Sequence, residues 1–487
     1  MKNEYQFSNL VYDFFLMRFR FQYYTNGETL PSIDILCREF SLSAQTVKAA
    51  LRRLRSEGYI DMHNGRPTKV IFRQTQKEYE EAIFTFFSRR SYAYPDLFRT
   101  MEQMLVPLFA EGLKRADEND FMYLAPYIER LGTDDLLYIF SYLLQKLDNP
   151  LALNLFWEVS LFMGLLFFND KEDYTFRRKH ILREDIKNII TIRKTQNWKE
   201  LHEAFLKFQS NTAEQALTHI SKHIPPAEEK ERIPFTWRIY YGRPQLCYSL
   251  GIRLLHEIYV GEYQGKQYLP SYEKMAKKYN VSVSTIRRTI NVLNQFGATE
   301  SVNGVGTYVF FEGECSNLPD FTSTAVRKNL ALFFQSFELI IYSCEEVIPS
   351  VFSAMSGNKR DKLILHLEEN IRLNRCKFTL WHLLLWIVHN SPQKGIQDIY
   401  FHLYSLLLWG YPLETSKKDT LERIPDAVQF TQSVITSVKE RNYRQCIELV
   451  KNLLTDMLPA AEDYLLLHGI MPEELRLAPS IRLSLPV

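Results

Sequence analysis

The sequence predicts a mainly α-helical protein made of two copies of one two-domain unit. Three observations lead to this prediction. A 43-residue segment occurs twice, and a fixed repeat is the usual sign of a duplicated structural unit. Outside that segment, apolar residues recur at helical spacing. At 487 residues, with 46% apolar and 24% charged residues, the chain is ordinary in composition but too long for one hydrophobic core.

The repeat aligns residues 30–72 with residues 269–311 without a gap, at a constant offset of 239. Twelve of the 43 positions are identical, and they fall at caps, turns and core positions. Chance similarity would not concentrate matches at such positions. The identical pairs include Leu30 with Leu269, Ser43 with Ser282, Thr46 with Thr285, and Gly58 with Gly297.

Fainter matches continue beyond this segment. Pro107 pairs with Pro349, and Ser160 pairs with Ser405, at offsets of 242 and 245. We therefore interpret the whole chain as a duplicated unit, with one short domain and one longer domain in each copy. The predicted domains are residues 1–75, 76–240, 241–312 and 313–487.

The first copy of the segment predicts two short helices followed by a hairpin. Ser32 can cap the first helix, and Asp34 places a carboxylate near the positive end of the helix dipole. Apolar residues at i, i+3, i+4 and i+7 predict a second helix that ends before Gly58. These apolar residues are Val47, Ala50, Leu51 and Leu54.

The hairpin is predicted from a glycine turn between two short strands. The turn falls at residues 64–65 in the first copy and 303–304 in the second, and the second strands cover 69–72 and 307–311. Two helices and a hairpin in this order form a winged helix-turn-helix domain. We therefore expect two such domains, each followed by an all-helical bundle domain.

The polar face of the second helix is predicted to meet DNA, because that helix enters the major groove in helix-turn-helix proteins. Between Val11 and Arg73 there are ten Lys or Arg against six Asp or Glu; the second copy has seven against five from Leu246 to Glu312. The predicted DNA-binding residues are Ser43, Gln45, Thr46, Lys48, Arg52, Arg66 and Lys69 in the first copy, and Ser282, Ser284, Thr285, Arg287, Arg288, Asn291 and Gly304 in the second.

Both copies resemble the reader domain of the GntR family of transcription regulators. That domain has LPS, a short helix, a VS-x-x-TVR motif and a glycine wing ending in GT-x-V; the second copy has VSVSTIR at 281–287 and GVGTYV at 304–309. The first wing, GRPTKV at 65–70, is similar to that of the fatty-acid-responsive FadR branch. The resemblance implies double-stranded DNA as the partner.

The sequence also departs from the family at frequent DNA-contacting positions. Asp34 and Glu273 in the first helices, and Ala44 and Val283 before the recognition helices, stand where the family often has arginine. These departures predict a change from the usual operator.

The longer domains predict helical bundles. The runs 135–156 and 378–401, followed by NWKELHEAF and NYRQCIELV, resemble the all-helical effector domain of the FadR branch. This resemblance implies a small-molecule effector between the helices and a role in dimerisation. Arg372, Arg375, His382, His389 and His402 are candidates to line a pocket for an acidic ligand, although a solvated helix face explains the arginines equally well.

The same resemblance raises the question of a metal, since such effector domains often bind one through an aspartate and three histidines. The histidine position falls at His382 in the second copy but at Phe140 in the first, and the aspartate position is Phe378. We therefore expect neither a metal nor another cofactor. The sequence has no nucleophile elbow, phosphate loop or paired-cysteine zinc spacing, so we expect that the protein is not an enzyme.

The six cysteines are scattered without CxxC pairs, and no charged-then-apolar leader opens the sequence. We therefore expect a cytoplasmic protein without a membrane span. The alternatives are a winged-helix protein-interaction scaffold and a tandem winged-helix replication initiator, neither with an effector. Because one chain holds two readers, we expect an intramolecular pseudo-dimer, with a homodimer as the other arrangement.

Overall fold

The computed structural model describes residues 7–40, 43–63, 65–165, 179–239, 245–259, 262–263, 267–310, 319–410 and 427–471. They form two compact units that divide between residues 242 and 243. Most of the described residues are helical, and the strands belong to two short antiparallel hairpins, one in each unit. The predicted mainly α fold is therefore confirmed.

The first unit begins with a winged helix, which we call the first reader. Its strands pair with Ile60 opposite Val70, and Thr29 forms an isolated bridge with Lys69. The apolar stripe predicted for the second helix is buried, so its opposite face is left to solvent. The elements are α1 (Phe7–Arg20), α2 (Ile33–Phe40), α3 (Ala44–Ser56), β1 (Ile60–Asp61) and β2 (Lys69–Val70).

Local signals start and stop these elements as the sequence predicts. The Ile35 amide donates to Ser32 Oγ at 3.3 Å, and Gly58 follows the end of α3 at a φ of +81°. The predicted strand over 69–72 is wrong in its length. It ends at Val70, because the amides of residues 71 and 72 both donate to the carbonyl oxygen of Tyr59.

Seven described helices follow in the first unit. Helix α8 is buried on almost every side, and its start is fixed by Asn149, whose side chain accepts the amides of Leu151 and Ala152 at 3.1 Å. Gly164 ends it at a φ of +79°. The helices are α4 (Gln76–Ser88), α5 (Tyr94–Arg115), α6 (Glu118–Arg130), α7 (Thr133–Gln145), α8 (Pro150–Met163), α9 (Lys179–Lys194) and α10 (Trp198–His223).

The second unit begins with another winged helix, the second reader. Its hairpin is longer than the first, with Thr299 opposite Val309 and Val302 opposite Gly306. The strand predicted over 307–311 begins one residue earlier and ends at Val309; residue 311 lies outside the described part of the chain. The elements are α11 (Gln245–Tyr259), α12 (Tyr272–Tyr279), α13 (Val283–Gln295), β3 (Thr299–Val302) and β4 (Gly306–Val309).

Six described helices follow the second reader. In chain order they follow the same pattern as α5 to α10, with a proline inside the first of each set, Pro107 and Pro349. They are α14 (Thr324–Ser353), α15 (Gly357–Arg372), α16 (Thr379–Asn390), α17 (Lys394–Leu407), α18 (Ala427–Lys439) and α19 (Tyr443–Leu467).

Trp409 joins the second reader to its helical half. The indole is fully buried and its ring centre lies 4.5 Å from that of Phe296, at the end of α13. Gly251 on α11 leaves room for it, since a Cβ there would lie 3.3 Å from the indole. His256 on α11 also hydrogen-bonds the Tyr404 hydroxyl of α17. The second reader is therefore held by a large apolar side chain.

Among the described residues, no single helix has the length and apolar composition needed to cross a membrane. Helices α14 and α15, bent by 119° at their junction, reach that length and composition only as a pair.

Gly112 provides a test of the packing in the first helical half. A Cβ at Gly112 of α5 would lie 2.2 Å from the carbonyl oxygen of Leu143 on α7. We expect Gly112→Ala to lower the free energy of unfolding by about 1–3 kcal/mol, because backbone atoms must move apart. Chemical denaturation would measure the change.

Gly357→Ala is the matched control, since Gly357 also lies in a helix but has no atom within 4 Å of the added Cβ. It should leave stability unchanged or raise it by up to about 1 kcal/mol. Equal effects of the two substitutions would contradict the close approach of α5 and α7.

Candidate nucleic-acid interface and apolar cavity

A serine fixes the start of each recognition helix. Ser43 Oγ accepts the Thr46 amide at 3.3 Å, and Ser282 Oγ accepts the Thr285 amide at 3.1 Å. The threonine hydroxyls lie 2.9 and 2.8 Å from the same serine oxygens. These four predicted DNA-binding residues therefore set the position of the helix N-terminus, whose free amides suit an anion such as phosphate.

The exposed face of α3 carries Gln45, Lys48 and Arg52. Among the described residues, no hydrogen bond or ion pair involves the side chains of Lys48 or Arg52, so both cations are available to a partner. Buried residues occupy the other face, and the helical period keeps the two sets apart.

Arg53 is engaged differently from its neighbour Arg52. Its guanidinium lies 3.6 Å from the centre of the Tyr12 ring on α1, and its Nε donates to Glu57 Oε1 at 3.0 Å. Tyr12 also hydrogen-bonds Glu57, and together with Arg53 it lowers the pKa of that carboxyl. Arg53 therefore joins α1 to α3.

The exposed face of α13 differs from that of α3. It carries Ser284, Arg287, Arg288 and Asn291, all exposed. Arg287 has no hydrogen bond or ion pair with any part of the chain that the structure describes. The two readers therefore offer different side chains at corresponding helix positions.

The wings differ as well. Arg66 and Lys69 are exposed in the first wing, and Asn64 of its turn lies outside the described residues. In the second, Gly304 has a φ of +76°, which its turn requires, and Val302 and Val305 are exposed. A cationic wing and an apolar wing cannot make the same contacts.

Side chains of opposite charge are buried at equivalent positions of α1 and α11. These positions, Arg18 and Glu257, are 239 residues apart, as in the repeat. Arg18 on α1 stacks on the rings of Tyr23, at 3.8 Å, and Phe14, at 4.3 Å. Glu257 on α11 accepts hydrogen bonds from Lys278 at 2.8 Å and from Tyr279. Although burial raises the pKa of Glu257, these hydrogen bonds outweigh it and lower the pKa.

A cavity of about 160 Å³ lies among α5, α7, α8, α9 and α10 of the first unit. Aromatic rings form much of its wall, and every described residue that borders it is uncharged. The resemblance of residues 135–156 to an effector domain implied a ligand between these helices, but the candidate ligand residues named from the sequence all belong to the second helical half. Ring residues on its border include Phe98, Phe109, Phe140, Phe156, Phe205 and Phe208.

Two walls of this cavity are connected to the first reader, one directly and one through α4. At the start of α7, Asp134 Oδ2 accepts a hydrogen bond of 2.9 Å from the Tyr23 hydroxyl. At the end of α8, Gly164 lies against the ring of Phe86 on α4, whose centre is 5.3 Å from that of Phe21. The segment after α1 therefore touches α7 directly and reaches the end of α8 through Phe86.

Comparison with known protein families gives two matches in this chain. The profile described as "Bacterial regulatory proteins, gntR family" matches residues 11–70 and 249–309, which are the two readers. The chain carries two gntR-family domains in tandem. This confirms the predicted duplication of the reader and supports a DNA-binding transcription regulator. No curated protein matched the sequence.

Two solved structures resemble parts of this chain. One, described as "Streptococcus agalactiae GntR", is 18% identical, with a TM-score of 0.20, and the match covers 44% of this chain and 99% of that one. The other is titled "Lar controls the expression of the Listeria monocytogenes agr system and mediates virulence." It is 12% identical, with a TM-score of 0.18, and the match covers 46% and 99%.

The residues predicted to bind an acidic ligand lie apart from the cavity, in the second helical half. Asn370 donates to His382 Nδ1 at 2.8 Å, and burial lowers the pKa of His382 to about 3. The imidazole is therefore neutral at neutral pH and offers no charge to an acid. Arg372 is exposed and pairs with Glu369 at 2.8 Å.

Of the other three predicted ligand residues, Arg375 lies near His382: its amide donates to the Asn370 carbonyl oxygen at 2.7 Å, and its charge adds to the effect of burial on the pKa of His382. No contact that we describe joins His389 or His402 to His382. Arg375 is half-buried, His389 is exposed, and His402 Nδ1 lies 2.8 Å from the carbonyl oxygen of Asp398. Their role stays a prediction. The described residues contain no group of three or more His, Cys, Asp or Glu arranged to hold a metal ion.

Neighbouring arginines of the first gntR domain provide a test of the DNA-binding face. We expect Arg52→Ala to weaken DNA binding and to reduce the slope of log affinity against log salt by about 1, because one phosphate contact is lost. Its free energy of unfolding should not change. Fluorescence anisotropy at several salt concentrations would measure the slope.

Arg53→Ala should behave in the opposite way. It removes the contact with Tyr12 and the hydrogen bond to Glu57, so stability should fall by about 0.5–1 kcal/mol while the salt slope is kept. If Arg53→Ala reduces the slope and Arg52→Ala does not, the assignment of the face is wrong.

Proposed function

We propose that this chain is a sequence-specific, non-enzymatic transcription regulator that binds double-stranded DNA through both gntR domains and responds to a small-molecule effector. The observation that carries the proposal is the pair of N-capped recognition helices, each with a buried apolar side and an exposed polar side. We also propose a cytoplasmic location and the domain limits 1–75, 76–240, 241–312 and 313–487.

Two readers in one chain favour a pseudo-dimer. A dimeric helix-turn-helix protein places two recognition helices in successive major grooves, about 34 Å apart. One chain with two readers needs no partner for this geometry, and each half-site is then read by a different helix. Because Lys48 and Arg52 correspond to Arg287 and Asn291, the operator should be asymmetric.

The predicted DNA contacts are those of the exposed faces. In the first reader they are Gln45, Lys48, Arg52, Arg66 and Lys69, and in the second they are Ser284, Arg287, Arg288, Asn291 and Gly304. Ser43, Thr46, Ser282 and Thr285 would present the helix N-termini to phosphates. A scaffold that binds protein through these faces would lack the steep salt dependence that phosphate contacts produce.

The effector response is supported by the apolar cavity and its walls. A molecule that enters the cavity meets α7, which contacts the segment that follows α1 of the first reader, and α8, whose end reaches that segment through Phe86 of α4. Occupancy would thus bias the position of that reader. The second reader contacts its own helical half through Trp409 and through the hydrogen bond between His256 and Tyr404.

The asymmetric operator is tested by single substitutions in the two readers. With a site selected from random-sequence duplexes, Lys48→Ala and Arg287→Ala should each cost about 1–3 kcal/mol of binding free energy and relax preference in different half-sites. The two effects should add in the double variant, since the residues lie in separate domains. Competition binding against half-site variants would measure both.

Arg444→Ala is the control, because Arg444 is an exposed arginine outside the readers that pairs only locally with Glu448. It should leave affinity unchanged. Two equivalent chains bound to one symmetric palindrome would contradict the pseudo-dimer, and full affinity in the Lys48→Ala, Arg287→Ala double variant would contradict DNA binding through these helices.

The connection between cavity and reader is tested at Tyr23. Burial raises the pKa of Tyr23, so its hydroxyl stays protonated and donates to Asp134. Tyr23→Phe should lower stability by about 1.5–3 kcal/mol, as expected for a hydrogen bond to a charged group. Amide exchange should rise both in the first turn of α7 and in residues 21–24.

Tyr443→Phe in the second unit also removes a hydroxyl hydrogen bond, of 3.2 Å to the carbonyl oxygen of Phe352, and should leave exchange in the first unit unchanged. Unchanged exchange at α7 in Tyr23→Phe would show that this contact does not couple the two domains.

A further inference from the structure

The chemistry of the cavity in the first helical half restricts the ligand. Its volume of about 160 Å³ is comparable to the roughly 150 Å³ apolar cavity that accepts benzene. Burying an ion among apolar side chains is costly unless an opposite charge pairs with it. The described border offers no such charge, so a charged group would lose its hydration there without compensation.

Ser160 adds one specific polar feature to this border. The residue is 1% exposed, and its hydroxyl has no hydrogen-bond partner among the residues that the structure describes. A serine inside a helix commonly donates to a carbonyl of the preceding turn. Ser405, its counterpart in the repeat, does so at 2.6 Å to the Phe401 oxygen. Ser160 therefore keeps a buried hydroxyl that a ligand can satisfy, and buried polar groups rarely go without a partner.

Among the described residues, the equivalent helices of the second half enclose almost no space. A pocket bordered by α14, α16, α17 and α19 has a volume of about 10 Å³, enough for one water molecule at most. Tyr400 borders it, fully buried, with its hydroxyl 2.9 Å from that of Ser343. The two halves have therefore kept the same order of helices but not the same interior space.

We propose that the first helical half alone binds a small uncharged molecule with an apolar body and one hydrogen-bonding group, which Ser160 engages. This inference rests on the proposed effector response for its role in regulation, but binding itself can be measured without DNA. This ligand is uncharged, unlike the acidic molecule predicted for the second half. None of the residues predicted to bind that acidic molecule borders the cavity.

The test compares n-hexanol with hexanoate, which have the same chain length but differ in charge. Isothermal titration calorimetry on the full chain at pH 7 should show hexanol binding with a stoichiometry of one and no binding of hexanoate. Hexanoate binding as tightly as hexanol would overturn the proposal, and so would the absence of hexanol binding up to its solubility.

Three variants locate the binding. Ser160→Ala should weaken hexanol binding roughly 2- to 10-fold, the range for one neutral hydrogen bond. Ser405→Ala is the matched control and should leave the affinity unchanged, because Ser405 bonds to its own helix. Ala216→Phe should abolish binding by filling the cavity, which Ala216 borders. The proposed site would be overturned if Ser405→Ala lost hexanol binding, or if Ser160→Ala and Ala216→Phe both bound hexanol as the unchanged protein does.

The outcomes separate this proposal from the regulatory one. If Ala216→Phe does not fold, the comparison of Ser160→Ala with Ser405→Ala still decides the site. Hexanol that binds but leaves DNA affinity unchanged would support the ligand class and overturn the effector response. If hexanoate binds and changes DNA affinity, the effector response is supported and the proposed uncharged ligand class is overturned.

Discussion

The arrangement of each reader depends on the burial of one side of its recognition helix. In α3, Val47, Ala50, Leu51 and Leu54 pack inward, and in α13 the same side carries Ile286, Ile290 and Leu293. A helix has a fixed period, so burial of one side determines which residues lie outside. The hydrophobic contact thus determines which polar face is exposed before any charge is considered, and the serine caps determine where that face begins.

Much of the reader could be predicted because its signals are local. A capping serine, an apolar stripe and a glycine with positive φ each act within a few residues, and Ser32, Val47 and Gly58 do what their positions predict. The ends of the strands could not be predicted. The first hairpin ends where it does because the Tyr59 carbonyl oxygen accepts hydrogen bonds from the amides of both Ile71 and Phe72.

The helical halves show the limit of such reasoning. The interior space left between five helices depends on how their side chains meet, and no spacing in the sequence reports it. His382 illustrates the same point, since its type suggests a cation while its burial keeps it neutral. Ser160 and Ser405 look equivalent in sequence, yet only the structure separates a satisfied hydroxyl from an unsatisfied one.

The reversed charges inside the two readers have an evolutionary consequence. Arg18 and Glu257 occupy equivalent positions, and Lys278 of α12 bonds to Glu257. Recombination between the two copies of the repeat, with a crossover between the first and second helices, would join α1 to α12. Lys278 would then meet the buried cation Arg18 in place of the carboxylate to which it now bonds. The duplicated readers are therefore no longer interchangeable parts, and this incompatibility acts against the exchange of sequence that would make them identical again.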